Sequence, residues 1–218
     1  MKDIAIYGAG GFGREVACLI RMINEAQPEE SERWNLIGFF DDGISAGTSV
    51  SHYGVCLGGI GTLNNWRKEL SVTISIGNPQ TIRKIVEQIH NPLIQFPNII
   101  HPNLTYADIE TFKIGRGNII IANCYMSCDV VIGDFNILDG SIAFGHDVQI
   151  GNYNTFMPKV LICGGVHIGN ENFFGIGSNV LQLLRIGNKV KLGAGSVLMT
   201  KPKDDSLYMG NPAKIFKY

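Results

Sequence analysis

Charge is scarce in this chain. Asp, Glu, Lys and Arg make up 17% of its 218 residues and nearly cancel, leaving a net charge of −1. A surface so nearly neutral lacks the basic footprint that binds nucleic acid, so no nucleic-acid partner is expected. No run of 18 apolar residues occurs, and the N-terminus shows no leader pattern. The expectation is a cytoplasmic protein without membrane insertion. The five cysteines, Cys18, Cys56, Cys124, Cys128 and Cys163, form no Cys-x-x-Cys pair, and an odd count does not close a disulfide framework. They read as small, reduced packing residues.

Glycine, by contrast, is abundant at 27 residues, and five of them follow isoleucine at a fixed interval. Ile-Gly stands at Ile114, Ile132, Ile150, Ile168 and Ile186, each 18 residues after the last. Inside that interval lies a period of six. Ile114, Ile120, Met126, Ile132, Leu138, Phe144, Ile150, Phe156, Ile162, Ile168, Phe174, Val180, Ile186, Leu192 and Leu198 are all apolar. Neither a helix nor a flat strand places every sixth residue on one face. A three-sided parallel β-helix does, with three hexapeptides to a coil. A second small or apolar set follows four residues later: Cys124, Val130, Ile142, Val148, Val160, Val166, Val190 and Ser196. It is expected to point inward as well. The glycines after the isoleucines are expected at corners with φ > 0. At about 4.8 Å per coil, five coils make a rod of roughly 24 Å.

The first hundred residues follow a different rule. Asp3–Tyr7 is a β-rich strand that runs into Gly8-Ala9-Gly10-Gly11-Phe12-Gly13, and Val16, Leu19, Ile20 and Ile23 then mark one helix face. Strand, Gly-x-Gly-x-x-Gly, helix is the context of a phosphate-binding turn, in which glycines let the backbone approach and the helix N-terminus offers free N–H groups. Trp34–Phe40 is a second strand ending at Asp41-Asp42, and Val72–Ile76 another ending at Gly77. Carboxylates at that place accept hydrogen bonds from a ribose or base, or else cap the turn before Gly43. A helix is expected from Pro79, and Phe96–Ile100 as a last short strand. Residues 1–100 thus form a Rossmann-like half domain of α/β type, residues 101–200 the β-helix, and residues 201–218 a tail.

His146, beside Asp147, is the best candidate for chemistry. Phe144 and Val148 take the inward phases, so the imidazole faces out, where it can serve as a general base next to a carboxylate. His101, His146 and His167 do not share one phase of the coil, so no metal site is expected. Nucleophilic triads are not readable, and Cys163 reads as wall packing. Lys189, Lys191, Lys201, Lys203 and Lys214 gather late in the chain. They are solvated charge or a site for the phosphates of coenzyme A.

With these motifs in place, and with Ile76-Gly77-Asn78, Gly145-His146-Asp147 and Gly210-Asn211-Pro212-Ala213-Lys214, the chain resembles the hexapeptide-repeat bacterial sugar O-/N-acetyltransferases. The subgroup includes sialic acid O-acetyltransferases and UDP-4-amino-sugar N-acetyltransferases. The resemblance implies a left-handed parallel β-helix, a homotrimer, and acetyl-CoA in a groove between two prisms. It implies that His146 is the general base and Asp147 its acidic partner. Gly10, Gly11, Phe12, Asp41, Asp42 and Gly77 match nucleotide-sugar positions, and Thr155, Gly164, Ile176 and Ala194 match positions lining the acetyl-CoA groove. Thr155 replaces a histidine found in some relatives. The implied activity is acetyl transfer to an amine or hydroxyl of a nucleotide-activated sugar in surface glycan or polysaccharide biosynthesis. A sialic acid O-acetyltransferase is the near alternative. A non-catalytic hexapeptide scaffold with a nucleotide-binding domain is the distant one, and the half-size first domain argues against a nicotinamide oxidoreductase.

Overall fold

The structure, a computed structural model, describes residues 1–216. The chain divides into two compact units: Met1–Gly77 with Thr81–Pro102, and Asn78–Gln80 with everything from Asn103 onward.

The first unit is a parallel sheet of β1 (Lys2–Tyr7), β2 (Trp34–Phe40), β3 (Cys56–Gly58), β4 (Leu70–Ile74) and β5 (Ile94–Gln95), with α1 (Gly11–Ala26), α2 (Ile60–Asn64) and α3 (Pro79–Gln88) in the connections. The strand order β3-β2-β1-β4-β5 reverses direction at β1 and β4. In such a sheet a ligand binds at that reversal, beyond the carboxyl ends of the strands. Ile4, Ile6, Phe39, Phe40 and Val72 are fully buried, as continuous apolar runs covered on both faces should be. Helix α1 buries Val16, Ala17, Leu19 and Ile20, four of one stripe. Strand β4 ends two residues earlier than its sequence suggests, because Ser75 Oγ turns to donate to Tyr7 and Gly8 carbonyls. The expected strand over 96–100 is split into Ile94–Gln95 and Ile99–Ile100. Pro97, between them, has no N–H to give a ladder.

The second unit is a parallel β-helix whose strands pair in unbroken steps of 18 residues. Its first wall holds Tyr125–Met126, Ala143–Phe144, Leu161–Ile162 and Asn179–Val180, its second Val131–Ile132, Gln149–Ile150 and His167–Ile168, and its third Ile137–Leu138, Thr155–Phe156 and Phe173–Phe174. Of the apolar sixth residues, all but Ile114 are buried, and so is every member of the second inward set. Phe156 and Phe174 stack with centroids 4.7 Å apart, and Phe144 meets Phe156 edge-on at 5.2 Å. Each fully buried aromatic contributes about 1.5–3 kcal/mol. The prism runs past both ends of the hexapeptide count: Thr105–Tyr106 already pairs with Tyr125–Met126, and Leu207–Met209 continues the third wall, then folds back antiparallel as Lys214–Phe216.

The corners correct one expectation. The glycines after the isoleucines do not hold the positive φ. That falls two residues later, on every sixth residue from Gly117 to Gly195, with φ between 54° and 68°. Most of these are not glycine. Each cross-coil N–H bond, such as Tyr153 to Asp134 O at 2.9 Å, helps hold the left-handed conformation. The Ile-Gly glycines serve close approach instead. A Cβ on Gly151 would run into the Asn170 side chain and Gly169 of the next coil, the latter's carbonyl at 2.6 Å.

Candidate active site

Each coil turns three corners. His146 and Asp147 occupy the corner Gly145–Val148, between the first and second walls. Gly145 N–H donates to Ile162 O at 2.8 Å and Asp147 N–H to Cys128 O at 3.1 Å, tying this corner to the coils on either side. Phe144 and Val148 are fully buried, so the side chains between them are driven out: His146 is 64% and Asp147 66% exposed. Asp147 has φ +57°, a conformation Asp tolerates better than most residues. His146 Nδ1 lies 2.7 Å from Asp147 Oδ2. A carboxylate has no proton to give, so the contact places hydrogen on Nδ1 and leaves the Nε2 lone pair free. That is the tautomer a general base needs. The imidazole lies across Gly164 of the adjoining coil, where a Cβ would meet Cε1 at 2.7 Å and Cδ2 at 2.8 Å, with Nε2 closer still.

The other residues matched to the groove spread over the prism. Gly164 is beneath the imidazole. Ile176 and Ala194 stack one above the other on the corner between the third and first walls, both exposed, with Gly195 N–H bonded to Ile176 O at 2.8 Å. The first wall, with Tyr125 and Leu161 exposed on it, therefore runs from the His146 corner to the Ile176 corner. Thr155 sits on the third wall, 1% exposed, and its hydroxyl has no hydrogen-bond partner among the described residues. His167 opens a strand of the second wall, paired with Gln149, at a different phase of the coil from His146. Among the described residues no three His, Cys, Asp or Glu side chains gather to hold a metal. Of the late lysines, Lys189 and Lys191 line one cavity of about 450 Å³ with Ser206 and Leu207.

A feature not expected from the sequence separates the corners. Asn118, Asn136, Asn154 and Asn172 form a ladder inside the prism, fully buried, each amide nitrogen after the first bonded to the preceding Oδ1 at 2.9–3.1 Å. A second series caps backbone N–H groups at the same corner: Arg116 N–H donates to Asp134 Oδ1, Asp134 N–H to Asn152 Oδ1, and Asn152 N–H to Asn170 Oδ1, at 2.7–2.9 Å. This corner, between the second and third walls, uses its amides internally. The matching N–H groups of His146, Gly164, Ile176 and Ala194 have no such cap among the described residues. They are among the backbone donors open to a ligand. The signal for the ladder is a period-18 Asn at the inward phase, two residues before an apolar sixth residue.

In the first unit the glycine-rich turn divides into two kinds of glycine. Gly8, at φ +107°, and Gly13, whose Cβ would strike Gly8, are required by the fold. Gly10, Gly11 and Gly77 are not. Their φ is ordinary, Cβ atoms on Gly10 and Gly77 would meet nothing within 4 Å, and one on Gly11 only the tip of Arg14. Helix α1 starts at Gly11 with no side-chain cap and no acid in its first turn, leaving N–H groups and the positive dipole end uncompensated. Phe12 is half-buried at that same turn. Asp41 accepts from Ala9 N–H at 2.9 Å and Gly43 N–H at 2.8 Å, so it both holds the glycine turn and caps its own. Asp42 accepts from Ile60 N–H at 2.9 Å and from the Tyr7 hydroxyl. Burial first, then that hydrogen bond, pushes the Tyr7 phenol above its ordinary range. A broader cavity of about 840 Å³ beside α2, lined by Trp66, Arg67 and Lys68, touches none of these residues.

Residues 3–89 match the family model of the PglD N-terminal domain. Over its whole length the chain is similar to the acetyltransferase domain of PglB from Neisseria gonorrhoeae, solved in complex with acetyl coenzyme A. The two share 26% identity at a TM-score of 0.85, with 99% of each chain covered. WeeI from Acinetobacter baumannii is 27% identical at a TM-score of 0.85, over 99% of this chain and 100% of that one. PerB from Caulobacter crescentus, solved with CoA and GDP-perosamine, shares the fold at 23% identity and a TM-score of 0.83, over 100% of this chain and 98% of its own. No curated protein matches by sequence. The resemblance carried by the hexapeptides and the glycine turn therefore extends to the whole architecture, which is that of these solved proteins.

Proposed function

We propose that this chain is a sugar acetyltransferase that moves the acetyl group of acetyl-CoA to an amine of a nucleotide-activated sugar. The observation that carries it is the outward His146–Asp147 pair, with Nε2 free, on a prism whose solved relative holds acetyl coenzyme A. The first unit binds the nucleotide: phosphate at the uncapped start of α1, with Gly10, Gly11 and Gly77 leaving room and Phe12, Asp41 and Asp42 bordering the turn. GDP-perosamine in PerB supports that substrate class.

In the transfer, the acceptor nitrogen attacks the thioester carbonyl while His146 Nε2 takes its proton. Asp147 holds the Nδ1 hydrogen and stabilises the imidazolium. Open backbone N–H groups of the prism stabilise the oxyanion. Collapse breaks the C–S bond, and the imidazolium returns the proton to the departing thiolate. No covalent enzyme intermediate is needed.

Gly164 lies with His146 on one edge of the first wall, and Ile176 and Ala194 on its other edge. A groove holding all of them takes one edge from each of two copies. A homotrimer supplies three such grooves, and the exposed Tyr125 and Leu161 between the edges are the apolar surface it would cover. The reaction belongs in the cytoplasm, where acetyl-CoA is made, and no helix among the described residues is long and apolar enough to cross a membrane. The test is incubation with acetyl-CoA and a panel of nucleotide-activated amino sugars and sialic acids, read by mass spectrometry. An acetylated product stable to hydroxylamine supports transfer to an amine; a labile one means an ester and overturns the amine. Absence of any product, with no binding of acetyl-CoA by calorimetry, overturns the enzyme.

A further inference from the structure

Coil stacking puts one residue of each coil at the His146 phase: Cys128, His146, Gly164 and Gln182. The coil adjoining the imidazole is the one without a side chain there. The backbone does not require that. Gly164 lies outside the left-handed region, whereas its neighbour Gly165 has φ +67°. What a side chain at Gly164 would meet is the ring itself, along Nε2, Cε1 and Cδ2. Neighbouring contacts draw the two coils together at this spot. Gly165 N–H donates to His146 O at 2.8 Å, and a Cβ on Gly145 would stand 2.6 Å from Gly164 N.

A histidine 64% exposed, with one hydrogen bond from one ring atom, would otherwise turn among rotamers. Asp147 fixes Nδ1, and a flat seat removes the remaining freedom. Accordingly we propose that Gly164 is a positioning residue for His146: its missing side chain is the seat that holds the imidazole with Nε2 aimed at the acceptor. This rests on the transfer reading above and goes beyond it, because the glycine then acts through the base and not only as a lining of the acetyl-CoA groove. A misplacement of about 1 Å costs on the order of 10²-fold in rate, which sets the expected size.

The experiment is a double-mutant cycle on the full-length protein with Gly164→Ala, His146→Ala and the double variant. Gly164→Ala is expected to lower kcat on the order of 10²-fold. In the His146→Ala background, where no ring occupies the seat, the same change is expected to cost nothing further in kcat or Tm. Additive losses in kcat would overturn the seat in favour of simple groove lining. Should Gly164→Ala fail to fold, the double variant, with its ring removed, carries the test through Tm: equal melting to His146→Ala supports the seat and a lower Tm overturns it. A crystal structure of Gly164→Ala reads ring placement independently of turnover. A displaced imidazole supports the seat even if no acceptor is acetylated, and an unmoved one overturns it even if transfer is confirmed.

Discussion

His146 and Asp147 are adjacent in sequence, yet Nδ1 and Oδ2 meet at 2.7 Å. Neighbours on an extended strand point to opposite faces and would not meet this way. The left-handed φ of Asp147 is what turns its carboxylate toward the ring. This predicts two different losses. His146→Ala removes the base and is expected to lower kcat on the order of 10²–10⁴-fold while acetyl-CoA still binds. Asp147→Asn keeps the shape and the tolerance for left-handed φ but no longer favours the imidazolium, so a smaller fall, on the order of 10-fold or more, is expected. Steady-state kinetics with calorimetry checks both; wild-type turnover in His146→Ala would remove the assignment.

The two kinds of glycine in the N-terminal turn give a second pair. Gly10→Ala has open space and an ordinary φ, so its Tm is expected to match wild type. Its added methyl stands where the phosphates approach, and nucleotide-sugar affinity is expected to fall about tenfold or more, roughly 1.4 kcal/mol. Gly13→Ala drives a Cβ into Gly8 and is expected to destabilise the first unit outright. Thermal melts and titration with a nucleotide-sugar separate the two. If Gly10→Ala binds as wild type does, the phosphate lies elsewhere.

The repeat is legible in the sequence because burial recurs at a fixed phase, and apolar letters show it directly. The inward placing of Phe144, Phe156 and Phe174 follows from the period of six alone. The corners are harder. Ile-Gly suggests glycine for its φ, but the residue at positive φ is Phe135 or Tyr153, and the glycine is there because the next coil passes too close for a Cβ. Sequence alone does not distinguish these two uses of glycine. Nor does a polar letter reveal that Asn136 is inside, since an amide satisfied by its own repeat looks like a surface residue. In the first unit, the Asp41-Asp42 pair is recognisable from its place at the end of an apolar strand. That both carboxylates are already occupied by Ala9, Gly43, Ile60 and Tyr7 follows only from the sheet bringing them together.

The amide ladder carries its own prediction. Asn154 donates to Asn136 Oδ1 and Gly169 O, each at 2.9 Å, and its Oδ1 accepts from Asn172 N–H and Nδ2 at 2.9 Å. Replacing it with Leu strands a buried N–H, an amide and a carbonyl at once. Each stranded group costs about 1–3 kcal/mol. The expected loss is on the order of 4 kcal/mol, or roughly 8–15 °C in Tm for a chain of this size. Asn188, exposed, continues the outer series by accepting from Asn170 N–H at 2.8 Å, and Asn188→Leu is expected to cost much less. Equal melting of the two variants would show that the inner ladder adds no more than its outer counterpart.

Cys124 ties the prism core to pH. The thiol is 1% exposed, and burial pushes it up to about 11 from an ordinary value near 9. Its Sγ donates weakly to Ile121 O at 3.2 Å. Below the lower value both folded and unfolded chains keep the proton, and the thiol has no effect on stability through titration. Between the two values the unfolded chain loses it and the folded chain does not, so stability falls as pH rises, levelling off above the upper value. Two units amount to about 2–3 kcal/mol. Cys124→Ala leaves a small cavity but nothing to titrate. At about pH 8 wild type is therefore expected to be the more stable by about 1 kcal/mol, and by about pH 10.5 the order is expected to close or reverse. Urea midpoints of the two proteins at both pH values measure this. A gap unchanged between them would mean that the thiol ionises in the core as readily as in water.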